Sequence, residues 1–78
     1  MVDAIEDIVV IGGVEHYFSQ YTDGTQCWYL KRTGKYHREN GPALIGPSGE
    51  KFWYLHGNMI TETEFNKILI KKRIKRLT

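Results

Sequence analysis

Trp28-Tyr29-Leu30, Lys35-Tyr36-His37-Arg38-Glu39-Asn40-Gly41-Pro42-Ala43, Ser48-Gly49 and Phe52-Trp53-Tyr54-Leu55-His56-Gly57-Asn58 are the parts of residues 28–58 whose reading decides the fold. Aromatic residues fit a pleated, half-buried surface, so both Trp-Tyr-Leu segments read as strands. A polar, turn-rich element lies between them. The chain also matches itself at a shift of 25: Asp23-Gly24-Thr25-Gln26-Cys27-Trp28-Tyr29-Leu30 aligns with Ser48-Gly49-Glu50-Lys51-Phe52-Trp53-Tyr54-Leu55. Turn glycine, aromatic pair and leucine all coincide. Units of this length, each one hairpin, bury a face only by joining a neighbour.

Working outward, the β-branched run Ile8-Val9-Val10-Ile11 stops at Gly12-Gly13, two residues that accept positive φ and suit a tight hairpin. A strand over residues 7–11 and a return strand over 14–21 follow from this. Asp23-Gly24 predicts a second hairpin turn of type I′. A strand over 26–30 comes next, then a short one over 35–38. Pro42 forbids a ladder donor after Asn40-Gly41. Short strands over 43–45 and 51–56 complete the sheet, which Gly57-Asn58 is expected to end.

The period then changes. Thr61-Glu62-Thr63-Glu64 has the form of a capping box, with two acids in the first turn and bases in the last. A helix is expected over 62–76. Its apolar residues fall on two sides: Phe65, Ile68 and Leu69 on one, Ile70, Ile74 and Leu77 on nearly the opposite one. A helix packed on a sheet needs a single stripe. The second stripe is either a frayed basic end or a partner surface, and the sequence leaves both readings open.

The string Lys35-Tyr36-His37-Arg38-Glu39-Asn40-Gly41-Pro42-Ala43, followed by a Ser-Gly turn and a Trp-Tyr pair, resembles the H-R-x-x-G-P-A hairpin repeats of small proteins from tailed bacteriophages and some bacteria. Those repeats are similar to MORN-type hairpins. Ile60-Thr61-Glu62-Thr63-Glu64-Phe65-Asn66 resembles the helix start that follows the repeats in that family. The likeness spans about residues 21–70. The chain carries one such unit, and Lys31-Arg32-Thr33-Gly34 is two residues longer than the family's usual connection. The resemblance implies a phage origin and a hairpin fold, in a family mostly without assigned activity. The expected class is therefore α+β, mainly β: an antiparallel meander of MORN-like hairpins capped by one C-terminal helix. The 78 residues form one domain, divided as an N-terminal hairpin (1–21), a repeat sheet (22–58) and a basic helix (61–77).

A core this small stabilises by about 3–5 kcal/mol without extra staples. Cys27 is the sole cysteine, so an intramolecular disulfide is excluded. A single thiol within an aromatic strand reads as a small buried apolar residue. Self-association is one further source of stability open to such a chain. No signal-peptide pattern or membrane-length apolar run is visible. With the unpaired cysteine, this points to the cytoplasm, and under the phage resemblance to that of the host cell.

The net charge of +2 is uneven. Lys71, Lys72, Arg73, Lys75 and Arg76 cluster at the C-terminus, while the remaining six basic and nine acidic residues leave the body at −3. A nucleic-acid reading therefore rests on that cluster.

Catalytic signals are missing. Ser19 and Ser48 lack a nucleophile elbow, and Gly12-Gly13 lacks the helix of a phosphate-binding loop. His16, His37 and His56 lie 21 and 19 residues apart, with no Cys or carboxylate at a ligand offset. No enzyme activity, metal or cofactor is expected. His37, Arg38, Gly41 and Pro42 read as an architectural joint, with the charged side chains on aromatic faces.

The candidate partner-binding residues are Trp28, Tyr29, Tyr36, Trp53 and Tyr54, with Ile70, Ile74 and Leu77 on the helix. Alternation sends Trp and Tyr of each pair to opposite faces, so one set is exposed unless the helix covers it. The leading expectation is a non-catalytic accessory protein that binds and modulates a host protein, in host takeover or as an anti-defence inhibitor. Two alternatives stand beside it: nucleic-acid binding through residues 71–76, and an oligomeric small-molecule sponge.

Overall fold

The computed structural model describes the backbone of residues 4–77 and the side chains of residues 4–71. Among the described residues the chain forms β1 (Ala4–Ile11), β2 (Val14–Tyr21), β3 (Gln26–Leu30), β4 (Leu44–Ile45), β5 (Lys51–Leu55), β6 (Asn58–Ile60) and α1 (Glu62–Leu77). The strands lie in one antiparallel sheet in chain order, so every connection joins neighbours. The expected mainly-β meander of hairpins with a C-terminal helix is the observed architecture. The molecule measures 49 × 24 × 16 Å, and the thin dimension reflects a single sheet with little layered on it.

The self-match at a shift of 25 has a physical counterpart. Gly24 and Gly49 sit at φ 96° and 91°. Each donates to the carbonyl three residues back, Tyr21 and Gly46, at 3.0 Å. Tyr21 N–H and Gly46 N–H in turn donate to Thr25 and Glu50. The two turns are one device used twice, and each feeds a five-residue strand.

Several local expectations change. The first strand is longer than 7–11 and begins at Ala4. Asp23 does not take positive φ, so the turn is not type I′. Asp23 Oδ1 instead accepts from Thr25 N–H at 2.9 Å, and Gly24 alone supplies the left-handed step. The type I′ pattern, positive φ at both central residues, occurs at Gly12-Gly13 and at His56-Gly57. His56-Gly57 therefore turns the chain back rather than ending the sheet, and β6 pairs with β5 through Asn58, Met59 and Ile60.

The short strand expected over 35–38 is reduced to a bridge between Tyr29 and Tyr36. The segment still lies between β3 and β5, beyond the end of β4. Leu30 N–H donates to Lys35 and His37 N–H to Trp28 on one side, while Arg38 N–H donates to Tyr54 and Gly57 N–H to Tyr36 on the other. Two residues of β4 are too few to span the neighbouring strands, and this segment fills the remainder.

The helix starts as a capping box requires. Thr61 Oγ1 accepts from Glu64 N–H at 3.1 Å, and the Glu64 carboxylate accepts from Thr61 N–H at 3.1 Å. Phe65 is buried at 3% exposure, Ile68 and Leu69 are half-buried, and Ile70 is 56% exposed. The first apolar stripe thus docks, against β5. The buried apolar residues are few among those described: Cys27, Trp28, Leu30, Ala43 and Phe65. Burial raises the Cys27 thiol pKa, which keeps it protonated and unreactive. No helix among the described residues is long and apolar enough to cross a membrane.

Candidate functional site

Residues directly opposite in an antiparallel sheet share a face, so the register fixes what each face presents. Ile8 is opposite Tyr17, Tyr17 opposite Tyr29, Tyr29 opposite Tyr36, and Tyr54 opposite Met59. The ring centroids run 5.8 Å from Tyr17 to Tyr29, 6.2 Å to Tyr36 and 5.2 Å on to Tyr54. Four tyrosines therefore form one row across the sheet, with Ile8 and Met59 at its ends.

A second row beside it holds Glu6, Ser19, Cys27, Leu44 and Phe52. Ser19 Oγ and Tyr29 Oη lie 2.8 Å apart in a hydrogen bond that ties the rows together. Charge stays at the margin, in Glu6 and in the Glu15–Lys31 pair at 3.5 Å. Burial, then the neighbouring Cys27 thiol, raises the Tyr36 phenol pKa, so it remains a neutral donor.

This tyrosine face is open. Tyr36 is 39% exposed and Met59 63%, and Phe52 and Ile8 are also exposed. Exposure of Phe52 and Met59, on the strands nearest α1, means that the helix does not cover them. Flat aromatic surface with an uncharged centre and a charged margin matches the anatomy of protein-binding sites.

The opposite face is closed by the chain itself. The guanidinium of Arg38 lies 3.7 Å from the Trp28 ring centroid. Its Nη1 donates to Pro42 O at 3.0 Å and its Nε to Asn40 Oδ1 at 2.7 Å. Phe18 packs on Trp28 at 4.8 Å. Gly41 leaves room for this fold-over: a Cβ there would lie 3.0 Å from Arg38 Cζ, and the guanidinium would have to give by a few tenths of an ångström. Arg38, Asn40, Gly41 and Pro42 thus form one clasp over the indole, while the His37 ring packs against His16 and His56 instead.

Three histidines stack on the same face. His16 and His37 are 5.6 Å apart, His37 and His56 4.4 Å. His37 Nδ1 accepts from His56 N–H at 2.9 Å, so neutral His37 carries its proton on Nε2, 3.8 Å from the Glu39 carboxylate. His16 Nδ1 must donate to Val14 O at 2.8 Å, which leaves Nε2 buried with no hydrogen-bond partner. Burial, then the neighbouring His56, lowers the His37 pKa. No group of three or more metal-ligating residues is placed to hold an ion among the described residues, and the Nδ1 atoms of His16 and His37 are engaged in hydrogen bonds.

The structure sorts the partner residues read from sequence. Tyr29, Tyr36 and Tyr54 come together on the open face. Trp28 does not take the exposed place expected of it: at 9% exposure it lies beneath Arg38. Trp53, opposite Ile60, is half-buried on that same closed face. Tyr17 belongs to the row and was missed; its alternation with Glu15 and Ser19 was the available signal. The histidine stack was missed as well, and near-equal spacing was its sole trace. Ile70 and Lys71 are exposed. The side chains of Lys72, Arg73, Ile74, Lys75, Arg76 and Leu77 lie outside the described residues. Compared with models of protein families, with curated proteins and with solved structures, the chain matches none.

Proposed function

We propose that this protein is a non-catalytic binding module that docks a partner protein on its tyrosine face. In the phage setting implied by the H-R-x-x-G-P-A resemblance, the partner is a host protein whose activity is modulated by being covered. One observation carries this reading: the row of Tyr17, Tyr29, Tyr36 and Tyr54, flanked by Ile8 and Met59, is left open by the helix that could have covered it. Tyrosine supplies large contact area with few rotatable bonds and a hydrogen-bonding tip, which suits it to anchor an interface. The chemical groups of the other face are spent on holding the chain together.

A photoreactive amino acid placed at Tyr36 tests this. It should capture one host protein at fixed stoichiometry, whereas the same probe at Glu50, in a turn away from the row, should not. Anchor residues contribute about 2 kcal/mol or more, so Tyr36→Arg should weaken binding at least tenfold. Deleting residues 71–78 should leave capture intact. Binding undiminished by Tyr36→Arg, or abolished by the deletion alone, would refute the assignment.

A further inference from the structure

The edge of the sheet carries a separate inference. β1 pairs with β2 through eight consecutive residues, Ala4 to Ile11, with no bulge. Being first in the strand order, it leaves its other side unpaired among the described residues. An edge of this kind is a template for another strand, and proteins usually blunt it with proline, lysine, a bulge or a covering element. β1 has neither proline nor lysine. Beside the exposed acids Glu6 and Asp7, it exposes large apolar side chains on both faces of the sheet: Ile5 at 66%, Ile8 at 52% and Val10 at 65%.

We propose that a second copy of this chain pairs with the free edge of β1, antiparallel about a two-fold axis at Ile8, so that two six-stranded sheets become one. The acids of the strand select both occupant and register. An axis at Glu6 or at Asp7 would set that carboxylate directly opposite the same residue of the second copy, a destabilising arrangement. With the axis at Ile8, Asp7 faces the partner's Val9, Glu6 faces the partner's Val10, and Ile5 faces the partner's Ile11. Every residue from 5 to 11 then has a partner, and no two acids oppose. A symmetric pair needs one self-complementary patch, and β1 in this register is one.

Directly opposed residues share a face, so both tyrosine rows lie on the same side of the joined sheet. Ile8 of each copy meets at the centre, and the rows run on through it. The tyrosine face stays open and doubles. Seven paired residues at about 3.4 Å each make an edge about 24 Å long, and with a sheet about 10 Å thick the strip is about 240 Å² per copy. Two copies bury about 480 Å², below the roughly 1,200 Å² of a stable complex. The dimer is therefore reversible and concentration-dependent.

Sedimentation equilibrium of the full chain tests this. The mass should rise from 9.1 kDa toward twice that value as concentration increases. Ile8→Lys should hold the monomer mass, with an unchanged circular dichroism spectrum because the side chain is exposed. Tyr36→Arg should leave the dimer intact. As a second measurement, Ile8→Cys should form an intermolecular disulfide on mild oxidation, since opposed Cβ atoms lie about 5 Å apart, and Asp7→Cys should not. Monomer mass at every concentration overturns the proposal. So does a dimer that Tyr36→Arg dissolves and Ile8→Lys spares, which would mark face-to-face stacking. These readouts are independent of whether a partner protein binds the tyrosine face.

Discussion

Replacing Arg38 with alanine removes three interactions that the sheet does not otherwise supply. The guanidinium 3.7 Å from the Trp28 centroid contributes about 1 kcal/mol at a half-buried site. The 3.0 Å bond to Pro42 O comes from a charged donor and contributes about 1.5 kcal/mol net. The exposed bond to Asn40 adds about 0.5 kcal/mol. Together these reach about 3 kcal/mol, most of the roughly 3–5 kcal/mol that a core of this size supplies. At about 4–8 °C per kcal/mol, Tm should fall by about 12–24 °C. Thermal and urea unfolding followed by circular dichroism measure it. Arg38→Lys keeps the charge but not the planar fork, so it should recover only a small part. Gly41 provides an internal check. A methyl there would meet Arg38 Cζ at 3.0 Å, so Gly41→Ala should destabilise the wild type and do little in Arg38→Ala, a coupling of about 1 kcal/mol or more. A loss below about 0.5 kcal/mol on Arg38→Ala, the size of an ordinary surface change, would refute the clasp as a stabilising device.

Stability should also depend on pH through His37. Its folded pKa is lowered by burial and by His56. Between that value and the unfolded value near 6.5 the unfolded chain binds more protons, so stability is full above about pH 6.5, falls as pH drops through this window, and levels off below the folded pKa. Protonation puts a proton on Nδ1 and turns it against the His56 N–H that it accepts. Urea midpoints at about pH 7.5 and 5.5 measure the fall, and His37→Gln should flatten it; an equal slope in the variant would sink the assignment. Thr61→Ala removes the cap hydroxyl that accepts from Glu64 N–H and should cost about 1 kcal/mol. Among the described residues the helix docks mainly on β5, so the loss should appear first as helical signal, ahead of sheet melting. Simultaneous loss of both signals would argue against that order.

Much of the fold was legible because its determinants are local. Gly12-Gly13 turns, Gln26–Leu30 and Lys51–Leu55 each form a strand, and Thr61 caps the helix, each within a few residues of its cause. β6 was not legible. Asn58, Met59 and Ile60 have weak strand character, and they pair because His56-Gly57 folds them back onto β5. Nor was the fate of Trp28, since Arg38 reaches it from ten residues away by folding back over Gly41.

The sequence by itself determined that aromatic residues alternate on paired strands, that one hairpin turn is used twice, and that Trp and Tyr must part to opposite faces. Those are properties of backbone period and turn chemistry. Tertiary structure decided which of the two faces is core. The 37–43 segment folds over Trp28 and stacks His37 between His16 and His56, while α1 docks on β5 and leaves Phe52 and Met59 uncovered. Both outcomes depend on contacts between residues far apart in the chain, and alternation is silent about such contacts because it is the same on either face of a sheet.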